Sequence, residues 1–268
     1  MTAAIASHAA LAPRVRPVEG LRQSASLSWR TLVQIKHNPM ELIDFSVQPI
    51  MFLLLFTYVF GGAIAGSTGD YLTFALPGLI VQNALFGTLN TGVGLNNDLQ
   101  KGVFDRLRAL PIARWAPLAG RIVADTIKQA WAMGLLLGLG AIMGFRVGTN
   151  VAGVLGAFGL LLVVAMSFSW ISVLVGMLVS EPEKVMMFGF AVMFPLTFVS
   201  NVFVPTDTMP GWLQGWVHVN PVTIVANAVR GMLVSGPVAG PVAGALLWAA
   251  GILAVTAPLA VRAFRKRT

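Results

Sequence analysis

Few side chains in this sequence are suited to covalent chemistry. Cysteine is absent, and no pair of the three histidines, His8, His37 and His218, has the spacing of a metal site. The sequence contains no G-x-S-x-G motif, no H-E-x-x-H motif and no G-x-x-x-x-G-K-[ST] phosphate loop. These absences exclude a thiol enzyme and argue against a serine hydrolase, a zinc peptidase and a chain that binds ATP itself.

The polar and aromatic residues that recur at helical spacing suit binding better than catalysis. One series has asparagines seven residues apart with a phenylalanine beside them, and the other has phenylalanines four residues apart with polar neighbours. The two series are Asn83, Phe86, Asn90 and Asn97, and Phe190, Phe194, Thr197, Phe198 and Asn201. The pattern is typical either of helix packing and lipid contact or of an apolar cavity with a few hydrogen-bonding groups.

The elements that position these residues must lie in a membrane. Of the 268 residues, 56% are hydrophobic and 10% are charged, against roughly 45–50% and 25% in a soluble domain, and the mean hydropathy is +0.79. A spanning helix needs about 20 apolar residues. Six regions reach or approach that length: Phe45–Gly69, Tyr71–Asn97, Gln129–Phe145 (extended by Thr126–Lys128), Val147–Ser180, Val185–Thr206 and Gly231–Val261. We expect the last helix to begin near Pro241.

The net charge of +8 raises the question of a nucleic-acid partner. Sixteen of the 18 lysines and arginines lie on one side of the predicted spans, and only Arg146 and Arg230 lie on the other. This asymmetry is the positive-inside pattern, which places both termini in the cytoplasm. The basic residues follow the membrane boundaries, and no soluble domain carries them. We therefore expect lipid contacts and no nucleic-acid binding.

The middles of the six predicted spans lack ionisable residues. Asp44 and Asp125 lie near span ends, and Asp98 lies just beyond one. Ion-coupled carriers place such groups within the membrane, where they carry the proton or ion. The sequence therefore favours a transport protein that takes its energy from outside the membrane, and an ion-coupled secondary transporter is the alternative from another class.

Glycines and prolines indicate how the helices pack and where the chain turns back. Residues 205–234 contain too many polar groups for a seventh span, so we expect two short helices that dip into the outer leaflet. Small residues four positions apart allow helices to approach closely. The pairs with this spacing are Gly134 and Gly138, Gly140 and Gly144, and Gly240 and Gly244.

Two amphipathic segments lie beside the predicted spans. Residues 98–110 place leucines and a valine on one face and charges on the other, with Asn96 or Asn97 as the cap and Pro111 as the stop. By spacing alone this helix lies in the lipid headgroups or docks a cytoplasmic subunit. Residues 20–37 predict an interfacial helix that leads into the first span.

Three separate motifs, which occur along the chain in the order typical of the family, resemble the permeases of the ABC type-2 exporter family, close to its daunorubicin-resistance branch. Asp98–Arg114 is similar to the cytoplasmic signature of the family, although Gln100 and Val103 stand where an acidic residue and threonine are common. Val204–Gln214, followed by Asn220-Pro221 and Arg230-Gly231, is similar to the external re-entrant segment. The third and weaker match lies around the first span.

The resemblance implies an all-α integral membrane protein with six transmembrane helices and both termini in the cytoplasm. Residues 1–17 would form a flexible tail, 18–40 an amphipathic connecting helix and 41–268 the transmembrane domain, with a coupling helix at 98–110 and external re-entrant helices at 205–234. The residues expected to dock on the ATPase are Asp98, Lys101, Gly102, Phe104, Asp105, Arg106, Leu107, Arg108, Leu110 and Pro111. The external motif residues are Pro205, Pro210, Trp212, Asn220, Pro221 and Arg230.

The resemblance further implies a permease subunit of an ABC exporter in the bacterial cell membrane. The chain would dock on a separate nucleotide-binding ATPase, which holds ATP and Mg²⁺, and would bind no cofactor or metal itself. It would pair with a second permease, identical or different, and would move drug-like or lipid-like amphiphiles outward. The substrate path would run between spans two and five, along Asn83, Phe86, Asn90, Phe194, Thr197, Phe198 and Asn201. Export of a polysaccharide or glycolipid is the alternative within the family.

Overall fold

The computed structural model describes residues 39–103 and 116–267, with side chains over 46–103 and 119–263. Within these ranges the chain is helical and contains no strand. The helices are α1 (Pro39–Leu55), α2 (Gly61–Ala65), α3 (Thr68–Gln100), α4 (Ala116–Ile142), α5 (Val151–Leu178), α6 (Pro182–Phe198), α7 (Gly211–Val219), α8 (Pro221–Leu233) and α9 (Ala239–Arg267). The predicted tail, residues 18–38 of the connecting helix and docking residues 104–111 lie outside the described residues.

Among the described residues, five helical stretches are long and apolar enough to cross a membrane. They are Ser46–Ala65, Thr68–Gln100, Ala119–Ile142, Val151–Leu178 and Ala239–Ala263. Each corresponds to one of the six regions predicted from the sequence. The remaining predicted region, Val185–Thr206, overlaps the shorter helix α6. The 17 residues of α6 extend for about 26 Å. The last helix begins at Ala239, two residues before the proline that marked its predicted start.

The end of α3 and the start of α4, which flank the predicted docking segment, differ from the sequence prediction. Helix α3 continues through Asn96 and Asn97 to Gln100, because the Asn96 side chain bonds to another helix and does not cap a new one. Helix α4 begins at Ala116, well before the predicted Gln129. Its first turns therefore carry Arg121, Asp125 and Lys128, which the sequence analysis treated as part of the cytoplasmic loop and the span end.

Helix α3 lies at the centre of the fold. In its most apolar stretch 78% of the residues are buried, against 11–39% in the other four apolar stretches. It packs against α4, α5, α6 and α8. Tyr71 at its outer end donates a hydrogen bond to the carbonyl of Phe203, 3.1 Å away. The other spanning elements therefore pack directly on α3, except α9, which packs on α5 and α8.

A close helix crossing joins α3 to α5 through Gly92 and Gly176. A Cβ atom on Gly92 would lie 2.4 Å from the Ser172 carbonyl oxygen, and one on Gly176 would lie 2.6 Å from the Gly92 carbonyl oxygen. The sequence analysis did not identify this pair, because its two members lie on different helices. Close backbone approach is the property that glycine provides in membrane helices.

The glycine pairs predicted from spacing are confirmed only in part. Gly140 packs against Leu76, and Gly244 packs against Ile224. Gly144 has a φ of 107° in the turn after α4, a conformation that favours glycine. A Cβ atom on Gly134, Gly138 or Gly240 would meet nothing within 4 Å. For these three positions the packing prediction is wrong within the described chain.

The first spanning element is interrupted by a π-helical turn at Phe56–Phe60. The turn lies between α1 and α2, and the Phe56 ring lies 4.4 Å from the Phe203 ring, measured between centroids. Gly66, with a φ of 74°, then reverses the chain into α3. The wide turn thus accompanies a contact between the first span and the segment that follows α6.

Residues 205–234 form two short helices, as the sequence predicts. A 3₁₀ turn at Thr206–Thr208 precedes α7 and α8. Asn220 caps α8 by accepting from the Val222 amide, and its side-chain nitrogen donates to the carbonyls of Leu196 and Val199. These bonds satisfy carbonyl groups at the end of α6, so the helix ends at Phe198 without leaving them unpaired.

Candidate functional site

A cavity of about 600 Å³ lies between α1, α3, α4 and α6. Its lining combines phenylalanine rings, side-chain amides and, at one end, charged groups. The lining residues are Gln48, Pro49, Phe52, Leu79, Gln82, Asn83, Phe86, Gly87, Leu89, Asn90, Val93, Gly94, Arg121, Asp125, Lys128, Met186 and Phe190. The α3 residues among them run from Leu79 to Gly94, a helix length of about 22 Å.

Side-chain amides give the cavity a limited capacity for hydrogen bonding. Gln48, Gln82, Asn83 and Asn90 line it. The side-chain nitrogen of Asn83 is buried and has no hydrogen-bond partner among the described residues. A buried amide donor without a partner costs free energy, about 1–3 kcal/mol in measured proteins.

Four charged residues form an ion-pair network at the inner end of the cavity. Arg121 donates from Nη1 to Asp98 Oδ2 over 2.7 Å and from Nε to Asp125 Oδ2 over 3.3 Å. Lys128 Nζ lies 3.5 Å from Asp125 Oδ1. The Asp125 side chain is 6% exposed, so its charge is buried and compensated by two cations. The network contains two positive and two negative groups.

The guanidinium of Arg121 lies directly against Gly94 of α3. A Cβ atom at position 94 would be 1.6 Å from the Arg121 Nη2 atom. Any side chain at this position would therefore displace the guanidinium from its ion pairs. The close approach of a charged side chain from α4 to the backbone of α3 thus leaves room for a Cβ atom only if that side chain moves.

Two amides fix the inner end of α3 to the end of α5. Asn96 donates from Nδ2 to the carbonyls of Gly176 and Val179, both over 2.9 Å. Gln100 donates to the Ser180 carbonyl over 2.8 Å. A carboxylate at position 100 could not make this bond, because an ionised carboxylate only accepts. The amide thus has a role within the chain at a position where the resemblance led us to expect an acid.

Phenylalanine rings form a continuous series from the cavity towards the external helices. Consecutive ring centroids lie 4.1–5.5 Å apart. The rings are, in order, Phe86, Phe190, Phe194, Phe198, Phe203 and Phe56. Phe86 and Phe190 line the cavity, whereas Phe194 and Phe198 lie beyond it on an exposed face of α6.

The predicted path residues fall into two groups. Asn83, Phe86 and Asn90 line the cavity. Phe194 and Phe198 continue the ring series, while Thr197 is buried and Asn201 donates to Asn227 Oδ1 of α8 over 2.6 Å. The structure therefore does not bring the seven residues together around one cavity.

Arg230 of α8 connects α8 to α3 and to the segment after α6 through hydrogen bonds to neutral groups. It donates to the carbonyl oxygens of Phe74 and Asn201 and to the side-chain oxygen of Asn227, over 3.0–3.2 Å. Its guanidinium carbon also lies 4.2 Å from the centroid of the Phe74 ring, a cation–π distance. In the same region Trp212 is exposed, whereas Pro221 is buried, and the bends at Pro205 and Pro210 precede the 3₁₀ turn and α7.

The described part of the docking segment is the end of α3. Asp98 lies in the last turns of α3, and its carboxylate is paired with Arg121. Lys101 is exposed and ends the helix, and Gly102 has a φ of 64°, which turns the chain away from the helix axis. Arg121, Asp125 and Lys128 line the cavity but are not among the path residues predicted from the sequence. Their spacing of four and three residues, which places them on one helix face, was the available signal.

Comparison with known proteins identifies the family of this chain. The family model of the ABC-2 type transporter matches residues 22–234, so the chain belongs to that family. It is 42% identical over 254 residues to the daunorubicin resistance ABC transporter permease protein DrrB1 of Streptomyces coeruleorubidus, covering 94% of this chain and 90% of the relative.

More distant relatives carry related names. The probable doxorubicin resistance ABC transporter permease protein DrrC of Mycobacterium tuberculosis is 28% identical over 235 residues, 87% of this chain and 84% of the relative. The probable multidrug ABC transporter permease YbhR of Escherichia coli is 26% identical over 155 residues, 57% and 41% of the two chains. The family and the apolar helices define a multi-pass protein of the bacterial cell membrane.

Proposed function

We propose that this chain is the permease subunit of an ATP-driven exporter and that the cavity between α1, α3, α4 and α6 receives the exported compound. The observation that carries the proposal is the lining, which combines aromatic rings with a few amides. A ring and an amide together suit an amphiphile that has a flat apolar part and a hydrogen-bond acceptor. The names of the relatives, which refer to resistance to daunorubicin and doxorubicin, support the same substrate class.

The phenylalanine series supplies the outward part of the path. From Phe190 the rings follow α6 to Phe198 and then reach Phe203 beside the external helices. An apolar compound could move from ring to ring without entering a polar environment. Because neighbouring rings offer similar contacts, no single position would hold it strongly.

The assembly in this proposal has two permeases and two ATPase subunits. The chain would cross the membrane six times, with α6 as the fifth crossing and both termini in the cytoplasm. The segment at 98–110 would dock on the ATPase, which would hold ATP and Mg²⁺, and this chain would contribute no cofactor site. The exposed face of α6, with Phe194 and Phe198, supports a second permease, identical or different, beside it.

Two alternatives make different demands on the cavity. A polysaccharide or glycolipid exporter requires many hydrogen-bonding groups along the path, whereas the series beyond Phe190 is aromatic. An ion-coupled carrier requires ionisable groups inside the membrane. Arg121, Asp125 and Lys128 lie on a helix long enough to span, and this is the observation in favour of that alternative. Their charges pair with one another near the inner end of the helix.

The proposal is tested by reconstituting the chain with its ATPase in proteoliposomes and measuring ATP hydrolysis and uptake of daunorubicin. Phe190→Ala removes a cavity ring, and Phe188→Ala is the matched control, because Phe188 is exposed on the same helix and does not line the cavity. We expect Phe190→Ala to raise the daunorubicin concentration for half-maximal stimulation about tenfold, the loss of one well-packed ring contact.

Three results would contradict the proposal. Equal effects of the two phenylalanine variants would contradict the proposal that the compound binds in the cavity. Uptake driven by a proton or sodium gradient without ATP would favour the ion-coupled alternative. ATP-dependent uptake of a lipid-linked glycan in the absence of any response to amphiphiles would favour the other branch of the family.

A further inference from the structure

Asp125 is a buried carboxylate on the cavity lining, and its contacts are long. Its side chain is 6% exposed and lies at the inner end of the cavity. Arg121 Nε is 3.3 Å from Asp125 Oδ2, and Lys128 Nζ is 3.5 Å from Asp125 Oδ1. Hydrogen bonds between oppositely charged groups are normally about 2.7–2.9 Å long, and a carboxylate can accept about four of them. Asp125 therefore has acceptor capacity that the described residues do not use.

The two cations beside Asp125 are also engaged elsewhere. Arg121 makes its short bond, of 2.7 Å, to Asp98, which does not line the cavity. Lys128 has a further interaction within the chain. A buried carboxylate costs free energy unless a counter-charge lies at hydrogen-bond distance. The unmet requirement at this end of the cavity is therefore that of the anion, and the ligand that meets it is a cation.

Aromatic rings lie close to this carboxylate in the same cavity. Arg121, one turn before Asp125 on α4, lies against Gly94, and Phe86 lies eight residues before Gly94 on the antiparallel helix α3. The carboxylate and the Phe86 ring are therefore separated by less than about two helical turns, or roughly 11 Å, along the cavity. One small molecule can reach both the flat apolar surface and the buried acceptor.

We propose that Asp125 is a specificity-determining residue, which binds the protonated amine of a cationic amphiphile while the rings of the compound lie against Phe86 and Phe190. The inference rests on the proposed function and deepens it, because it assigns a substrate class to the same cavity. The amine replaces the long contact with Lys128 by a short hydrogen bond to the carboxylate. A neutral compound of the same shape gains no such bond.

The first test uses two probes that differ in one charge. Daunorubicin has a primary amine that is protonated at neutral pH, and N-acetyldaunorubicin has the same rings without that charge. Binding to the permease in phosphatidylcholine nanodiscs, without the ATPase, is measured by fluorescence anisotropy, and empty nanodiscs give the contribution of the lipid. We expect Kd to be about tenfold lower for daunorubicin, equivalent to about 1.4 kcal/mol. Equal affinity for the two compounds would overturn the proposal.

Two variants of the cavity ion pair are expected to act in opposite directions. Asp125→Asn removes the carboxylate, so we expect Kd to rise about tenfold for daunorubicin and to change less than about twofold for the N-acetyl compound. Lys128→Gln removes a competing cation, so we expect Kd for daunorubicin to fall about threefold. Equal losses for both compounds in Asp125→Asn, or weaker daunorubicin binding in Lys128→Gln, would contradict the proposal. The probe pair and Lys128→Gln decide the question even if Asp125→Asn does not fold.

Glu181 and Lys184 provide the matched controls. They form an ion pair with the same i,i+3 spacing, but their side chains are 54% and 48% exposed and do not line the cavity. Glu181→Gln and Lys184→Gln therefore remove the same charges at a distance from the bound compound. We expect each to change Kd less than about twofold. Shifts as large as those of the cavity variants would overturn the proposal, because net charge alone would then explain them.

Uptake by the complex with the ATPase separates this inference from the proposed function. Equal ATP-driven uptake of both compounds, bound with equal affinity, would support export and contradict the role of Asp125. A preference for the amine that Asp125→Asn abolishes, in a complex that transports neither compound, would support the role of Asp125 and contradict the export function.

Discussion

The two ends of α3 hold their arginines in opposite ways. At the inner end Arg121 is paired with the carboxylates of Asp98 and Asp125. At the outer end Arg230 is bound by two backbone carbonyls, the Asn227 side chain and the face of Phe74. One cation is balanced by charges on side chains, and the other by dipoles that belong largely to the backbone.

This difference shows which end can rearrange. The Asp98–Arg121 pair, whose side chains are 33% and 22% exposed, can exchange partners with water and salt at a lower cost than a buried pair. Backbone carbonyls move only when the chain itself moves, and a buried arginine that leaves them would lose several charge-assisted hydrogen bonds. We therefore expect the bonds of Arg230 to be the more rigid of the two networks and the ion pair between Arg121 and Asp98 to be the more easily rearranged.

The largest expected effect comes from removing the outer arginine. Arg230→Gln leaves the carbonyls of Phe74 and Asn201 and the Asn227 oxygen without their donor, so we expect a loss of about 3–5 kcal/mol in stability. Thermal unfolding of the purified protein in detergent measures it. Arg230→Lys would recover only part of the loss, because an ammonium cannot reproduce the planar array of donors.

The control for Arg230 is Arg146→Gln, since Arg146 is exposed beyond the outer end of α4. Equal stability of Arg230→Gln and Arg146→Gln would contradict the expectation that the bonds of Arg230 form the more rigid network. The proposed contrast between the Arg230 network and the Arg121 network would then no longer hold.

A smaller loss is expected at the point where the inner end is fixed. Asn96→Ala removes two hydrogen bonds to carbonyls at the end of α5, so we expect a loss of about 2 kcal/mol. Asn97→Ala, one residue along at a partly exposed position, is the matched control. The same unfolding measurement applies, and a control as unstable as Asn96→Ala would show that the amide bonds are not the cause.

The smallest effect is expected at the exposed ion pair. Lys184→Gln breaks the contact with Glu181, whose side chain is 54% exposed, and we expect a change below about 0.5 kcal/mol. The unfolding temperature should not depend on salt any differently from that of the unsubstituted protein. A large loss would mean that exposed pairs at this end matter as much as the buried network.

The apolar part of the fold was predictable because membrane solvation imposes length and composition. Five predicted regions contain a spanning-length helix, and residues 205–234 form the two expected short helices. The start of α4 was not predictable in this way. Its first turns carry Arg121, Asp125 and Lys128. Charged residues in a sequence indicate a loop outside the membrane unless their ion-pair partners in the fold are known.

The candidate site was predictable for residues that share one helix and not for those that meet across helices. Asn83, Phe86 and Asn90 of α3 do line the cavity, whereas Asn97 of the same series does not. Gln48, Phe52 and the charged residues of α4 join it only because α1 and α4 pack beside α3. The Gly92–Gly176 crossing was missed for the same reason, since spacing within one helix carries no information about the helix opposite.

The π-helical turn at Phe56–Phe60 has a consequence for how the first span is read as a sequence. A π-helical turn equals one residue inserted into an α-helix, and it rotates everything beyond it by about 100°. The cavity residues Gln48 and Phe52 lie before the turn, and Gly61, which packs against Tyr71, lies after it. The span therefore has two helical phases, and a hydrophobic or mutational periodicity fitted through its whole length would assign one half to the wrong face.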